Sequence, residues 1–351
     1  MADAAPDPPA GAAVRLDGRR VLLVLATSTG GVGQHVRSLA EGLSGRGAEV
    51  VVAAPASTQA VFGFPSYAEV EVGTAPHPAR DARAMLALRR LARSADVVHA
   101  HGLRTGALAP TARPLVVSWH NAQLGSGRLG ALLERRVARR ANVTLAASED
   151  LLRHALRLGA RDVRLAPVPA PVLPPPSGRD PLGVQGPVVL AVGRLHPQKG
   201  YDVLLAALPL LGDVTVAVAG DGPLREQLRS QAPQVRWLGR CGDLADLYAR
   251  ADVVVLPSVW EARSLTAQEA MRAGRPLVAT SVGGLPGLVG DGAVLVPPGE
   301  PAALGAAVRR LLDDPAAAAA LGARARTVAA GWPREQDAVA QVAAVYAELL
   351  G

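Results

Sequence analysis

At 351 residues, with 49% hydrophobic and 19% charged side chains, the chain is long for one core, and two domains are the expectation. Its single cysteine, Cys241, excludes an internal disulfide and a cysteine-based zinc site and fits a reducing cytoplasm. The net charge of +7 would suit a polyanion, yet aromatic residues make up only 3%, too few for stacking platforms, so a nucleic acid partner is not expected.

The charge is unevenly spread. Residues 1–170 hold 21 basic and 13 acidic side chains (+8), and residues 171–351 hold 16 and 17 (−1). The first half is therefore drawn to phosphates, on a membrane surface or on an acidic substrate. Of the 37 basic residues, 36 are arginine and only Lys199 is lysine, which suggests a site that wants a compact point charge rather than a planar fork.

In chain order, residues 1–18 are rich in Ala, Pro and Asp, without a basic start or an apolar core, and read as a disordered leader rather than a signal peptide. RVLLVLA (Arg20 to Ala26) is a buried-type strand, followed by TSTGGVGQHV, a glycine turn opening a helix to about Ser44. The glycines do not spell GxGxxG, and the strand AEVVVAAP ends without an acid for a ribose, so a nicotinamide enzyme is disfavoured. A phosphate loop and a plain tight turn both fit Gly30 and Gly31.

Further strands are predicted at Ala95 to His101, Pro114 to Trp119, Val143 to Ala147 and Val163 to Ala166, with helices between them. That alternation implies a parallel sheet covered on both faces, with ligands at the carboxyl ends of its strands. His99, His101 and His120 fall at such ends. His99 reads as a packed strand residue. His120, beside Asn121 and a loop containing Gly125 and Gly127, reads as a site residue. RLGALLERRVARR (Arg128 to Arg140) admits two readings, a helix lying on anionic lipid or a solvated face backing a core stripe.

Eight prolines between Pro167 and Pro187 mark a domain boundary. A second alternating series starts with PVVLAVGRL and HPQKG, where Arg194 closes a strand and Lys199 precedes a helix; the two cations can converge on one diphosphate. Glycines at 220, 222, 283 and 284 follow strands and permit close backbone approach to a ligand. ADVVVLPS (Ala251 to Ser258) is a buried strand leading into WEARSLTAQEAMRAG. There the helix can start at Ser264 or Thr266, with Thr266 and Glu269 fitting a capping box. Glu261 and Glu269 stand beside that anion-favouring helix start, which suits a ligand carrying both phosphate and hydroxyls.

GGVGQHV, DVVHAHG, VVSWHN, VGRLHPQKG, AGDGPL, ADVVVLPS, WEARSLTAQEAMRAG and VATSVGGLPGLV, in this order, resemble the family 4 retaining glycosyltransferases. The resemblance implies an α/β GT-B fold, two Rossmann-like domains facing across a cleft. Residues 19–170 would form the N-terminal acceptor domain, 171–186 a Pro-rich linker, and 187–332 the donor-binding domain, with 333–351 a helix returning to the first domain. It further implies that Arg194 and Lys199 bind the donor diphosphate, Glu269 the ribose and Glu261 the transferred sugar. His120 would lie by the sugar, Gly30 and Gly31 near the phosphates, Ser264, Leu265 and Thr266 along the donor, and Arg240 and Cys241 in the region of the base.

The chain departs from the family pattern at Glu261-Ala262-Arg263-Ser264, at Gly287 and at Pro167-Val168-Pro169. No DxD-type aspartate pair follows an apolar strand, so neither a metal nor another cofactor is expected, and the two cations take the metal's place. The expected partners are a nucleotide sugar donor and an unidentified acceptor, a lipid or a phosphorylated molecule. A nucleotide-sugar epimerase and a non-catalytic nucleotide-sugar-binding protein are the alternatives.

Overall fold

The computed structural model describes residues 14–73, 75–121, 127–242 and 244–351. Most of the expected leader (1–13) and the loop residues 122–126, Gly125 among them, lie outside these. Residues 14–18 depart from the leader expectation: Leu16 is buried and its N–H donates to Arg46 O, because an apolar side chain here covers the base of the first sheet.

Among the described residues, thirteen strands form two parallel sheets. The first contains β1 (Arg20–Leu25), β2 (Glu49–Ala54), β3 (Tyr67–Glu69), β4 (Val97–His101), β5 (Leu115–Trp119), β6 (Val143–Ala146) and β7 (Val163–Leu165), in the order β3-β2-β1-β4-β5-β6-β7. The second contains β8 (Val188–Val192), β9 (Thr215–Ala219), β10 (Arg236–Gly239), β11 (Val253–Leu256), β12 (Leu277–Thr280) and β13 (Val294–Val296), in the order β10-β9-β8-β11-β12-β13. Each sheet reverses its strand order once, between β1 and β4 and between β8 and β11, which opens a crevice beyond the carboxyl ends of those strands. The central strands are buried along nearly their whole length, as sheets covered by helices on both faces require. The three-residue strands β3 and β13 fall outside the expected strands.

The C-terminal helix, Glu335–Leu350, packs Val339, Val342, Ala343 and Tyr346 into the core that the glycine-loop helix, Gly31–Ser44, fills with Val36, Leu39 and Leu43. Its Gln341 side chain donates to Leu165 O at 2.7 Å, and the Tyr346 hydroxyl meets His99 Nδ1 at 2.6 Å. The proline-rich stretch is held on the second sheet's side. Ser177 Oγ and Gly178 N–H donate to Asp246, and Arg250 donates to Val184 O and Gly186 O.

The crossing at 167–170 is tied down by the helix Leu265–Arg272. Gln268, fully buried, accepts from Ala170 N–H at 2.9 Å and donates to Val168 O at 3.1 Å, and Arg272 donates to Ala170 O at 2.5 Å. Unpaired amides and carbonyls at a buried crossing would each cost about 1–3 kcal/mol, so these two side chains fix how the chain passes between the sheets.

Candidate active site

A cavity of about 630 Å³ lies where the carboxyl ends of the two sheets meet. From the first half it takes the glycine loop, His101, Arg104 and His120; from the second, Arg194, Lys199, Glu261 to Thr266, and Glu269. It thus gathers every candidate residue except Arg240 and Cys241. Those two follow β10, the outermost strand of the second sheet, two strands away from β8. Arg240 is exposed there, and the Cys241 thiol turns back to Leu238 O and Gly239 O.

Lys199 is placed by a short chain of local causes. After β8 the chain makes one 3-10 turn, Pro197–Lys199, capped by the His196 ring, which accepts from Gln198 N–H. Gly200 then turns left-handed (φ 62°), and a Cβ there would lie 2.0 Å from Pro257 O, so only glycine lets the turn sit against the end of β11. Gln198 bonds the facing loop twice, through Val259 N–H and Trp260 O. Lys199 Nζ consequently reaches Glu261 Oε1 at 2.5 Å, where Ser258 Oγ also donates at 2.8 Å. Glu261 Oε2 has no hydrogen-bond partner among the described residues.

The glutamate loop is braced from behind. Gly283 (φ 52°) would place a Cβ 2.1 Å from Glu261 O, and Gly284 N–H donates to the same oxygen at 2.8 Å. The glycines at 220, 222, 283 and 284 were expected to admit a ligand. Instead they admit the protein's own backbone, at Gly193, Leu195, Glu261 and Ala262, because the loops of adjacent strands cross there.

The helix Leu265–Arg272 starts at Ser264, whose hydroxyl accepts from Ala267 N–H. The capping box expected from Thr266 and Glu269 does not form. Thr266 sits inside the first turn and donates to Val192 O at 3.0 Å, while Glu269 Oε2 accepts from the Tyr248 hydroxyl at 2.8 Å. Tertiary partners outcompete the local box because both side chains face the second sheet. Burial raises the Glu269 carboxyl above its usual range, against the opposing pull of Tyr248, Arg272 and Lys199. Leu265 touches the first half directly, since a Cβ on Gly31 would lie 2.6 Å from its Cδ1.

Four histidines meet on the first half's side. His99 is a core residue, bonded to Tyr346 and to Ser118 Oγ at 2.7 Å. His101 Nδ1 faces His120 Nε2 at 3.1 Å, the two rings are stacked, and His35 stands edge-on to both. Burial, followed by the neighbouring rings, pushes His101 and His120 well below the ordinary imidazole range, so His120 lines the cavity as a neutral ring. His101 Nε2 is buried and has no partner among the described residues.

Sequence reasoning missed His101, Arg104, Tyr248 and Gln268 as site or positioning residues. Arg104 followed the HAH strand end and was legible; it lines the cavity and is paired with Asp81 at 2.8 Å. Tyr248 and Gln268 carried no local signal, since their partners lie 21 and 98 residues away.

Among the described residues, no group of three or more His, Cys, Asp or Glu side chains is arranged to hold a metal ion. None of the helices there is long and apolar enough to cross a membrane.

Residues 30–171 match the family described as Glycosyl transferase 4-like domain, and residues 186–314 match Glycosyl transferases group 1. The glycogen synthase of Mycobacterium tuberculosis is 32% identical over 89% of this chain and 90% of its own. The D-inositol 3-phosphate glycosyltransferase of Kineococcus radiotolerans is 32% identical over 72% of each. Among solved structures, Anabaena Alr3699/HepE in complex with UDP and glucose superposes with a TM-score of 0.83 at 23% identity, covering 94% of this chain and all of that one. Sucrose-phosphate synthase from Thermosynechococcus elongatus gives a TM-score of 0.79 at 22% identity, over 94% and 99%. Two parallel-sheet domains around one cleft, with sequence matches to this family over both halves, make the chain a family 4 glycosyltransferase of the GT-B fold.

Proposed function

We propose that this glycosyltransferase moves a sugar from a nucleoside diphosphate sugar to an acceptor hydroxyl with retention of anomeric configuration, without a metal. The observation that carries the reading is the single cavity in which two cations, two carboxylates and the start of the helix Leu265–Arg272 converge.

The difficult step is departure of the nucleoside diphosphate as positive charge grows on the anomeric carbon. Arg194, Lys199 and the amides after Ser264 stabilise the leaving charge, an electrostatic role that a metal fills in other transferases. Glu269, oriented by Tyr248, reads the ribose hydroxyls, and the base lies towards the loop carrying Arg240 and Cys241. Glu261, with Oε1 engaged and Oε2 unpartnered, reads a hydroxyl of the transferred sugar. Neutral His120 bonds another. The acceptor enters from the first half's side and attacks on the face the diphosphate leaves, and the departing phosphate takes its proton. Trapping a glycosyl adduct on any side chain would sink this route.

HepE, which shares the fold, was solved with UDP and glucose, which supports a nucleoside diphosphate sugar as donor here. The basic first half supports an acceptor bearing phosphate, free or on a lipid. A thermal-shift panel of UDP, GDP and ADP sugars tests the reading, because a ligand at about 100 times its dissociation constant stabilises by about 2.7 kcal/mol. No shift with any donor overturns it, and isomerisation of the donor without acceptor would make the protein an epimerase.

A further inference from the structure

At the opposite end of β5 from the cleft, a cavity of about 580 Å³ opens between the helix Pro78–Ala92, residues 107–113 and the helix Arg128–Arg140. Arg89, Arg93, Arg113, Arg136 and Arg140 line it, and no carboxylate does among the described residues. An adjoining cavity of about 540 Å³ shares Thr111, Arg136 and Arg140 with it and adds Arg135 and Arg139, again without an acid. The chain has 30 acidic residues to set against 37 basic ones, so seven arginines gathered without a carboxylate are not the consequence of composition alone.

The nearby acids are engaged elsewhere. Glu134, on the same helix, is turned inward and bonds His154 at 3.1 Å; Asp96 accepts from Arg20 N–H, and Asp81 pairs with Arg104. Two of the arginines are held in place by backbone carbonyls. Arg140 donates to Ala107 O and Ala109 O at 2.9 and 2.6 Å, and Arg113 donates to Arg93 O at 3.1 Å. The side chains of Arg89, Arg93 and Arg136 make no hydrogen bond or ion pair among the described residues. Arg136 and Arg140 are one helical turn apart, a like-charge spacing that disfavours the helix unless an anion lies between them. Burial, and then Arg136, lowers the Arg140 guanidinium from its ordinary range, although it stays charged near neutrality.

We infer that this face is a second anion site, for a ligand carrying more than one phosphate, separate from the donor cleft. Guanidinium forks match phosphate oxygens in pairs, and two adjoining cavities joined by Arg136 and Arg140 suit spaced phosphates rather than a single one. The same chemistry is offered by a soluble polyphosphate and by the headgroups of an anionic bilayer. The inference does not rest on glycosyl transfer, and its test needs no turnover.

The full-length protein is floated with phosphatidylglycerol–phosphatidylcholine vesicles and with pure phosphatidylcholine vesicles, and is separately titrated with inorganic tripolyphosphate. Salt is kept at about 150 mM, where long-range attraction is screened beyond roughly 8 Å. The double variant Arg89→Glu/Arg136→Glu changes two exposed helical positions, and Lys199→Ala serves as the cleft control. Expected are binding of at least one anionic probe by wild type and by Lys199→Ala, and binding about tenfold or more weaker by the double variant. Vesicle binding alone assigns a lipid headgroup; tripolyphosphate binding alone assigns a soluble ligand. Failure of wild type to bind either probe overturns the inference, as does equal binding by the double variant or a loss confined to Lys199→Ala. Should the double variant unfold by circular dichroism, Arg89→Gln/Arg136→Gln is judged by the same criteria.

Discussion

Lys199 Nζ lies 2.5 Å from Glu261 Oε1, so the cation that the sequence assigns to the diphosphate and the carboxylate it assigns to the sugar are direct partners. Their side chains are 21% and 9% exposed. Taking the charge centres as about 4 Å apart, the attraction is on the order of 4 kcal/mol at an effective dielectric near 20, and at that burial it is largely offset by desolvation. The pair therefore acts mainly by holding Glu261 with Oε2 unpartnered among the described residues and Lys199 at the wall of the cavity. On the proposed function, the donor phosphate shares Lys199 with Glu261, which couples occupation of the phosphate site to the state of the sugar reader.

Removing one member leaves the other without its partner. Lys199→Met is expected to cost about 1–3 kcal/mol of stability and to weaken donor binding. Lys199→Met/Glu261→Gln is expected to recover part of the stability while donor binding stays weak. Urea unfolding beside donor titration separates the two effects, and recovery of both together would mean that the pair is merely structural.

Glu269 and Glu261 are expected to fail differently. Glu269→Ala weakens binding of every donor sharing the same nucleotide, whereas Glu261→Ala chiefly lowers kcat and sugar discrimination. Tyr248→Phe removes the 2.8 Å bond to Glu269 Oε2 and should raise the donor KM by roughly five- to tenfold, the equivalent of about 1–1.4 kcal/mol or one ordinary hydrogen bond, with kcat little changed. Steady-state kinetics with two sugars on one nucleotide check this, and identical defects in the two glutamate variants would overturn the division.

Arg263 lies in Glu261-Ala262-Arg263-Ser264, where the chain departs from the family pattern, and its Nε and Nη2 are buried without partners among the described residues. The guanidinium packs over Trp332 at 5.8 Å, with Arg272 5.9 Å from the same ring, and burial followed by Arg272 lowers it to about 10. Arg263→Met keeps the packing and removes an uncompensated buried charge, so a gain of about 1 kcal/mol or more is expected, read as a higher Tm. A lower Tm would show that the cation–π contact outweighs the burial cost.

Acid should destabilise the first half through its histidines. Unfolded imidazoles take up a proton near 6.5, whereas burial lowers His35 to about 4 and His99 to about 3. Below 6.5 the unfolded chain therefore binds protons that the folded one refuses. Stability falls with pH from 6.5 towards those values, by about 1.4 kcal/mol per unit for each histidine, and these groups add no slope above 6.5. His99→Leu should be less stable than wild type at pH 8, with the Tyr346 and Ser118 hydroxyls left unpaired, yet show a shallower loss of Tm between pH 6.5 and 5. An unchanged slope would exclude His99 as a source of the acid sensitivity.

The sequence by itself determined the two alternating series and the buried strands β1, β4, β5, β8 and β11, because apolar runs and glycine-bounded turns are local signals that survive any tertiary arrangement. It could not determine how Lys199 and Glu261 would pair, or that Gly283 would serve the backbone of Glu261 rather than a ligand. Those outcomes rest on contacts between residues 62 and 22 positions apart, and Trp260 Nε1 meets Asp150 Oδ2 at 3.2 Å across 110 positions. Where a local and a distant partner compete for one polar side chain, as for Thr266 and Glu269, burial decides, since the group removed from water takes whichever partner the packed sheet presents.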